Sequence, residues 1–383
     1  MKGPVLAALL VLSLTSCAGR PAAVAPEALP VVASPVAVAS ATEKLQAFQK
    51  ARQIPGLSVA VGHRGQLIWA QAFGVEDLET RRAVTTESSF PIGSTTKTLT
   101  SIALGTLVER GKLDLDAPIQ TYVPSFPVKP YPLSARLLAG HLAGIRDYDM
   151  ATEYANARTF ASIDEAVAVF RDSPLLFEPG TQYKYSAYNF VLLSAAIEGA
   201  AKQDFLDYVQ QTILDPLGLV HTRPNRQPLP MPGLVRGHVA GYYGVPAPVQ
   251  PINVSNKWAA GGYVSTPSEM VRFGNAILTG RLVRADTFAL LSTPQKLKDG
   301  SDSGAGYAMG WRSSRRKLPL TQREARIVHH GGTAQGAMSF FVLLPELDLV
   351  VALQSNLLFE PFEPFYLQAL EIADLFWEPS ATR

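Results

Sequence analysis

Residues 90–97 read FPIGSTTK and lead directly into an apolar, helix-like stretch at 98–108. Positions i and i+3 of a helix lie on the same face, so the Lys97 amine can stand beside the Ser94 hydroxyl. A serine at a helix start also lies where free backbone N–H groups and the positive end of the helix dipole stabilise developing negative charge. The stretch therefore predicts a nucleophilic Ser94 activated by Lys97. A helix cap beside a solvated lysine is the alternative.

A second Ser-x-x-Lys sequence in the same chain shows that this spacing alone does not identify a nucleophile. Residues 314–317 read SRRK, in a basic, loop-like segment that offers no helix start. We expect this copy to be catalytically silent. The assignment of Ser94 therefore depends on partners elsewhere in the chain.

Composition and missing motifs exclude several functional classes. The 383 residues are 47% hydrophobic, enough for a large core, and the formal net charge of +2 is not clustered as in a nucleic-acid-binding surface. The six histidines show no zinc-hydrolase spacing, and no glycine-rich phosphate loop precedes a helix. The Gly-x-Ser-x-Gly device of α/β-hydrolases does not occur either. We therefore expect no metal, no cofactor and no nucleic-acid partner.

The N-terminus carries the pattern of an export signal. A lysine precedes an apolar run at residues 5–12 that is too short to span a bilayer. The following residues, LTSC at 14–17, resemble a bacterial lipoprotein signal in which the cysteine is lipidated. Cys17 is the only cysteine of the sequence, so no intrachain disulfide competes for it. An ordinary signal peptide is the alternative.

These patterns divide the chain into three segments. Residues 1–16 are expected to be the signal peptide, residues 17–41 the lipidated cysteine with an Ala- and Pro-rich tether, and residues 42–383 the folded domain. Ala18 stands where aspartate would oppose sorting to the outer membrane in the lipoprotein family. We therefore expect an exported protein, anchored by its lipid to the cell envelope at the outer membrane, on the periplasmic side.

Strand patterns at both ends of the domain enclose a helical middle. The predicted elements are an amphipathic helix at 41–53, a hairpin of strands at 57–61 and 67–70, a second hairpin at 339–344 and 349–353, and a closing helix at 365–377. This order predicts an α/β (α+β) fold with an antiparallel sheet flanked by helices. The sheet subdomain would cover 42–90 and 253–383, and a mostly helical insertion 91–252. The site would lie in the crevice between them, with the proline-rich stretch 223–252 near its mouth.

Two further stretches could complete the chemistry that a serine nucleophile needs. Tyr185 follows a Pro-Gly turn and precedes a helix, where a phenolate pointing into a cleft can accept a proton. A half-buried tyrosine with a satisfied hydroxyl is the alternative. Residues 329–333 read HHGGT, whose glycines let a backbone edge approach a ligand and offer N–H groups to a carbonyl oxygen. A simple tight turn is the alternative there.

Taken in order, these stretches resemble the three motifs of serine β-lactamases of the class C type and their relatives, the D,D-peptidases, D-aminopeptidases and esterases. The motif stretches are 94–97, 185–187 and 329–331. Framework segments agree as well, including RGKLDLDAPI at 110–119, HLAGI at 141–145 and GGYVST at 261–266. The likeness covers roughly residues 42 to 380, and within the family the chain resembles the mitochondrial serine β-lactamase-like proteins and their bacterial kin. It implies the β-lactamase/D,D-peptidase-like fold.

The resemblance implies a role for each motif. Ser94 would be the acylated nucleophile. Lys97 and Tyr185 would handle its proton, Tyr185 would also protonate the leaving group, and which of the two takes the first proton stays open. His329 would occupy the position often held by lysine. The backbone N–H groups of Ser94 and Gly332 would form the oxyanion hole.

Two departures from the family pattern bear on the substrate. Ala187 replaces the usual asparagine two residues after the tyrosine, with Asn189 two further on, and His330 replaces threonine in the third motif. These three residues and Gly331 are expected to line the substrate pocket. Neutral histidines bind a substrate carboxylate weakly.

The sequence therefore predicts a peptidase- or esterase-like serine hydrolase acting on a small-molecule or peptide substrate. A true β-lactamase or peptidoglycan D,D-carboxypeptidase is the first alternative. A penicillin-binding-like scaffold without turnover is the second. The sequence makes no prediction of the oligomeric state.

Overall fold

The structure is a computed structural model that describes residues 33–154, 158–241 and 244–377, together with residues 1 and 3. Cys17, the predicted signal peptide and the predicted tether as far as residue 32 lie outside these ranges, apart from residues 1 and 3. From residue 33 onwards the described chain forms one compact unit. No helix within the described part is both long and apolar enough to cross a membrane.

Long strands lie near the two ends of the domain and helices fill the middle. The strands are β1 (Gly56–His63), β2 (Gln66–Gly74), β3 (Phe90–Pro91), β4 (Arg223–Pro224), β5 (His238–Ala240), β6 (Pro246–Pro248), β7 (Tyr263–Ser265), β8 (Arg312–Lys317), β9 (Glu324–Ala334), β10 (Ala337–Leu344), β11 (Leu349–Ser355) and β12 (Leu357–Leu358). The α-helices are α1 (Pro35–Arg52), α2 (Thr96–Glu109), α3 (Ala135–Ala139), α4 (Ile163–Ala168), α5 (Ala187–Ala201), α6 (Phe205–Val209), α7 (Asp215–Leu217), α8 (Trp258–Gly261), α9 (Pro267–Leu278), α10 (Ala285–Leu291) and α11 (Glu363–Phe376).

One antiparallel sheet joins the two ends of the domain. Its six strands run in the order β2-β1-β11-β10-β9-β8, and Val59 of β1 lies opposite Leu353 of β11. In the β1–β2 turn, Arg64 and Gly65 have φ angles of 51° and 78°, the left-handed conformation that a tight two-residue hairpin turn needs at both positions. Both hairpins predicted from the sequence are confirmed, and so is the antiparallel sheet flanked by helices.

The two faces of the sheet pack against separate layers of helices. Phe340 and Val351 belong to a core shared with α1 and α11. Phe341 and Val350 belong to a second core shared with α2, α5 and α9. Successive residues of a strand point to opposite faces, so β10 is buried along its whole length. Strands buried on both faces read as continuous apolar runs, which is why this hairpin could be predicted.

The helices α2, α5 and α8 meet in the second core and carry polar groups to one edge of the sheet. Residues 96–107 of α2 are all buried, and so are residues 187–194 of α5. Polar groups at these helix ends are cut off from water and must find partners within the protein. They find them where the helices approach β9, and the candidate site lies there.

Three segments differ from the sequence-based expectation. Helix α1 begins at Pro35 rather than at residue 41, because proline is well accepted in a first helical turn and alanines favour the helix. The SRRK copy lies in strand β8 and not in a loop. Positions i and i+3 of a strand point to opposite faces, so Lys317 does not stand beside Ser314. The proline-rich stretch contains the short strands β4, β5 and β6.

Candidate active site

Ser94 lies in a short 3₁₀ turn, Gly93–Thr95, that leads directly into α2. Gly93 has a φ of 48°, and a Cβ at this position would lie 2.3 Å from the carbonyl oxygen of Thr333 on β9. Glycine is therefore needed both for the left-handed conformation and for the close approach of the turn to the strand. The turn places the Ser94 hydroxyl at the edge of the sheet.

Buried hydroxyl groups fix this turn against the sheet. Ser339 of β10 donates a hydrogen bond to the Ile92 carbonyl oxygen at 2.7 Å, and its Oγ lies 2.7 Å from Thr95 Oγ1. Thr95 Oγ1 is also 3.3 Å from the His330 carbonyl oxygen. A buried polar group left without its partner costs about 1–3 kcal/mol. The position of Ser94 relative to β9 is therefore set by its neighbours in the turn.

The Ser94 hydroxyl oxygen contacts both of its predicted partners. Lys97 Nζ is 3.1 Å from Ser94 Oγ, and the Tyr185 hydroxyl is 2.9 Å from the same atom. Lys97 Nζ also donates to the carbonyl oxygen of Ala260, in α8, at 2.5 Å. The structure thus brings together three side chains from two distant motifs.

Burial controls the charge of Lys97. Its side chain has no solvent exposure, and desolvation lowers the pKa of the amine to about 7, against an opposing attraction from Asp147. Burial has the opposite effect on the carboxyl group of Asp147 and raises its pKa, although the carboxylate accepts hydrogen bonds from the backbone N–H groups of Ala187 and Tyr148. At neutral pH a large fraction of Lys97 is therefore an uncharged amine that can accept a proton.

Burial shifts the pKa of Tyr185 in the opposite direction from that of Lys97. Burial raises the pKa of its phenol well above the ordinary value, and the hydrogen bond with Ser94 offsets only part of this rise. The ring lies 4.2 Å, centroid to centroid, from the imidazole of His141, whose pKa burial lowers. Tyr185 is therefore a neutral phenol, suited to donate a proton. The predicted possibility of a phenolate base is disfavoured.

His330 faces the helices and has both ring nitrogens occupied. Its Nε2 is 2.9 Å from the Tyr307 hydroxyl, and its Nδ1 is 2.6 Å from the Gly331 carbonyl oxygen. Because only a protonated Nδ1 can donate to a carbonyl, Nε2 accepts from Tyr307. Burial and the nearby Lys97 hold the pKa of the ring well below its ordinary value. His330 is thus a neutral imidazole locked in one tautomer.

His329 points to the opposite face of the sheet. Its ring lies 5.1 Å from Phe340 and 5.6 Å from Tyr366 of α11, and burial lowers its pKa to about 3. The prediction that His329 joins the Lys97–Tyr185 group is wrong by one residue, because a shift of one position along a strand moves a side chain to the other face. His330 lies beside that group.

The backbone of β9 presents Thr333 rather than Gly332 to the Ser94 turn. A Cβ on Gly332 would lie 2.0 Å from the Ile92 carbonyl oxygen. The segment leading into the Ser94 turn therefore occupies the space where a side chain at position 332 would lie. The Thr333 nitrogen and oxygen lie 3.0 and 2.3 Å from a Cβ placed on Gly93. The N–H and C=O groups of one strand residue point to the same side, and those of the next residue to the other. These contacts favour the Thr333 N–H over the Gly332 N–H as the candidate oxyanion donor on this strand.

Ala187 and Asn189 take different environments. Ala187 is the first residue of α5 and lines a small cavity beside Ser94. Asn189 is fully buried, with Nδ2 3.1 Å from His141 Nδ1. The prediction that Asn189 lines the substrate pocket is wrong, because residues two apart in a helix project in nearly opposite directions.

Among the described residues, Ser94 lines two cavities of different size. The larger, of about 650 Å³, is lined by Tyr185, by residues 329–333 and by side chains of β8 and α11. The smaller, of about 50 Å³, is lined by Lys257 and by residues of the proline-rich stretch. That stretch therefore reaches the site, as its sequence predicted.

Three polar residues of the site were missed by the sequence reasoning. Tyr307 orients His330, and Asp147 holds the first N–H group of α5. Lys257 is buried, with Nζ 2.9 Å from the Tyr154 carbonyl oxygen and 3.8 Å from the centre of that ring, and burial lowers its pKa to about 8. A lone lysine just before a tryptophan and the small residues AAGG is a signal that could have found Lys257. In the ranges that the structure describes, no three His, Cys, Asp or Glu side chains group as metal ligands.

Comparison with known protein families identifies the arrangement. The model of the Beta-lactamase family matches residues 41–373, which is most of the chain. The chain belongs to the Beta-lactamase family. Members of the family with this fold are serine hydrolases, so the general reaction class predicted from the three motifs is confirmed, and so is the fold class.

Several known proteins are similar to this chain in sequence or in fold. The human mitochondrial serine beta-lactamase-like protein LACTB is 28% identical over 396 residues, which cover 81% of this chain and 72% of that protein. The octameric penicillin-binding protein homologue from Pyrococcus abyssi superposes with a TM-score of 0.73 at 23% identity, covering 87% of this chain and 76% of that one. The D-amino acid amidase from Ochrobactrum anthropi SV3 gives 0.71 at 22% identity, covering 88% and 99%. At such identities the solved structures show the fold alone.

The buried amine predicts a distinctive pH dependence of stability. The unfolded chain keeps the Lys97 proton up to a pH near 10.5, but the folded protein only up to about 7. Unfolding therefore takes up a proton between these values, and the free energy of unfolding of the wild type rises with pH across this window. We expect Lys97→Met, which lacks this group, to be at least as stable as the wild type at pH 6, with a relative advantage that shrinks toward pH 10. Urea unfolding at pH 6, 8 and 10 measures the difference. Parallel pH profiles of the two proteins would refute a depressed Lys97 pKa.

Proposed function

We propose that this protein is a serine hydrolase of the peptidase or esterase type that cleaves an amide or ester bond through an acyl-Ser94 intermediate. One observation carries the proposal. Ser94 Oγ contacts an amine that burial keeps partly uncharged, at 3.1 Å, and a phenol that burial keeps protonated, at 2.9 Å. A proton acceptor and a proton donor thus meet at one nucleophilic oxygen. Membership of the Beta-lactamase family supports the reaction class.

In the acylation step, Ser94 Oγ attacks the substrate carbonyl carbon while neutral Lys97 takes the hydroxyl proton. The backbone N–H groups of Ser94 and Thr333 bind the oxyanion, and one such donor contributes about 2.7–4 kcal/mol of transition-state stabilisation. The bond to the leaving group then breaks, and Tyr185 protonates the departing nitrogen or oxygen. The proton held by Lys97 then passes to the Tyr185 phenolate and restores the neutral phenol. In the net transfer, the leaving group gains the proton that Ser94 lost.

In the deacylation step, a water molecule replaces the leaving group. It gives a proton to Lys97 as its oxygen attacks the acyl carbon, and Ser94 Oγ regains a proton when the ester bond breaks. His330 takes no part in these transfers, because hydrogen bonds occupy both of its ring nitrogens. Its role is to hold Tyr307, whose ring lies 6.0 Å from that of Tyr185.

The same residues disfavour β-lactams as substrates. Ala187 offers no side-chain amide to hold the amide of a β-lactam substrate. Nitrocefin should therefore be a poorer substrate than a p-nitrophenyl ester or a D-aminoacyl amide. Comparing these three compounds on the purified full-length protein tests this preference, and efficient nitrocefin turnover would favour a true β-lactamase.

A fluorophosphonate probe tests the nucleophile. The wild type is expected to be labelled, and Ser94→Ala is expected to lose the label, because the probe reacts with an activated serine. Ser314→Ala is the matched control, since it removes the serine of the second Ser-x-x-Lys copy, and it should label like the wild type. Labelling of Ser94→Ala, read by gel fluorescence, would show that another residue is the nucleophile.

The pH dependence of kcat/KM tests the proton acceptor. Below pH 7 the protonated fraction of Lys97 rises, so we expect kcat/KM to fall about tenfold per pH unit in this range. No decline is expected on the alkaline side before the far higher pKa of Tyr185. An initial-rate profile from pH 5 to 9 measures the acid limb and the plateau expected above pH 7. A rate independent of pH down to 5 would exclude Lys97 as the base.

We also propose export and lipid anchoring, on the basis of the signal-like N-terminus and Cys17. Buried lipid chains anchor a protein without a spanning helix. Cys17→Ala is therefore expected to move the full-length protein from the membrane fraction to the soluble fraction, as measured by immunoblotting of fractionated cells. Retention of the variant on the membrane would mean that another feature holds it there.

A further inference from the structure

The two cavities at Ser94 differ in size by more than tenfold, and Tyr185 lines only the larger one. The larger has a volume of about 650 Å³ and the smaller about 50 Å³. In the proposed function, on which this inference rests, Tyr185 protonates the leaving group. The leaving group therefore occupies the larger cavity and the acyl group the smaller. A water molecule takes up about 30 Å³ in the liquid, so the smaller cavity of about 50 Å³ has about the room that two waters need, which suits an acyl group of about the size of acetyl.

The larger cavity has an aromatic wall. Phe340, Phe362 and Tyr366 line it, and the rings of Phe340 and Tyr366 meet edge to face at 5.0 Å. A Cβ on Gly331 would lie 2.7 Å from the tip of the Phe362 ring. The absence of a side chain at this position lets the aromatic wall close directly onto β9. Such a surface favours a flat aromatic group.

The same cavity contains two arginines without an acidic partner. Arg312 and Arg316 of β8 both line it, and among the described residues neither guanidinium forms an ion pair. Arg312 donates to the Ala305 carbonyl oxygen at 2.9 Å, and Arg316 lies 5.2 Å from the centre of the Tyr366 ring. Glu363 is the one acidic side chain in the described lining, so the cavity keeps a net positive charge. An anionic group would bind there with charge-assisted hydrogen bonds.

The histidines of β9 do not add to this charge. His330 has no free ring nitrogen, and His329, between the two arginines and the aromatic wall, is neutral at ordinary pH. Recognition of an anionic substrate group therefore depends on the arginines of β8 and not on the third motif. We propose that the preferred substrates join a small acyl group to an aromatic leaving group that carries a carboxylate, with the ring on the Phe340–Tyr366 wall and the carboxylate at Arg316.

A matched pair of esters tests the charge preference. 4-Acetoxyphenylacetate and its primary amide, 4-acetoxyphenylacetamide, have the same acyl group and phenols of similar leaving ability, but only the first is an anion. For the wild type we expect kcat/KM to be about tenfold or more higher for the anion, the factor typical of a hydrogen bond to a charged group. Arg316→Glu should reduce this ratio to about one or below. Lys317→Glu, the same charge change at the next, exposed residue outside the cavity, should keep the wild-type ratio.

The acyl side has its own test in the same assay. Replacing acetyl by hexanoyl in 4-acetoxyphenylacetate should lower kcat/KM at least tenfold, because the smaller cavity cannot hold the chain. Equal rates for the anionic ester and the amide, or an unchanged ratio in Arg316→Glu, would overturn the leaving-group assignment. Equal rates for the two acyl groups would overturn the acyl assignment. Absence of both ester hydrolysis and fluorophosphonate labelling would instead overturn the proposed function itself.

Discussion

A buried amine that must stay partly uncharged is the constraint on which this structure depends. Lys97 Nζ is enclosed by the start of α2, by the Ala260 carbonyl oxygen of α8 and by Tyr185 before α5. A charged group in such surroundings costs several kcal/mol unless it is paired. Asp147 attracts the ammonium form but is itself held by backbone N–H groups. This partial compensation leaves the pKa of Lys97 near neutrality, whereas a direct ion pair would have kept it charged.

The second constraint is the contact between the Ser94 turn and β9. Both backbones must approach closely, so glycine stands at 93 and at 332, where a Cβ would lie 2.3 and 2.0 Å from carbonyl oxygens of the facing segment. Buried hydroxyls then fix the distance. The sheet supplies the rigid edge, because β9 pairs with β10 over most of its length. A nucleophile on a turn thereby gains the fixed geometry of a strand.

Features that depend on residues close together in the sequence could be predicted, and features that depend on distant residues could not. The hairpins and Ser94–Lys97 depend on local spacing, and both were predicted. Which of His329 and His330 points toward Lys97 depends on the strand register, and no local pattern fixed that register. The histidine beside Lys97 was therefore predicted one residue away from its true position. Tyr307 and Asp147 reach the site from loops whose course depends on packing. The resemblance to the family supplied Tyr185, which local spacing alone could not connect to Ser94.

The alternation of β9 explains why one strand can serve two purposes at once. His330 and Gly332 point toward the helices, where His330 fixes Tyr307 and Gly332 admits the Ser94 turn. His329 and Gly331 point toward α11 and border the larger cavity, which His330 and Gly332 also line. A change on the second face can alter the cavity without touching the hydrogen bonds of the first. The neutral, fully bonded His330 is then no defect of the third motif, since the positive charge on the substrate side comes from the arginines of β8. Separate faces of a single strand thus let substrate preference vary while the proton-transfer group around Ser94 stays fixed.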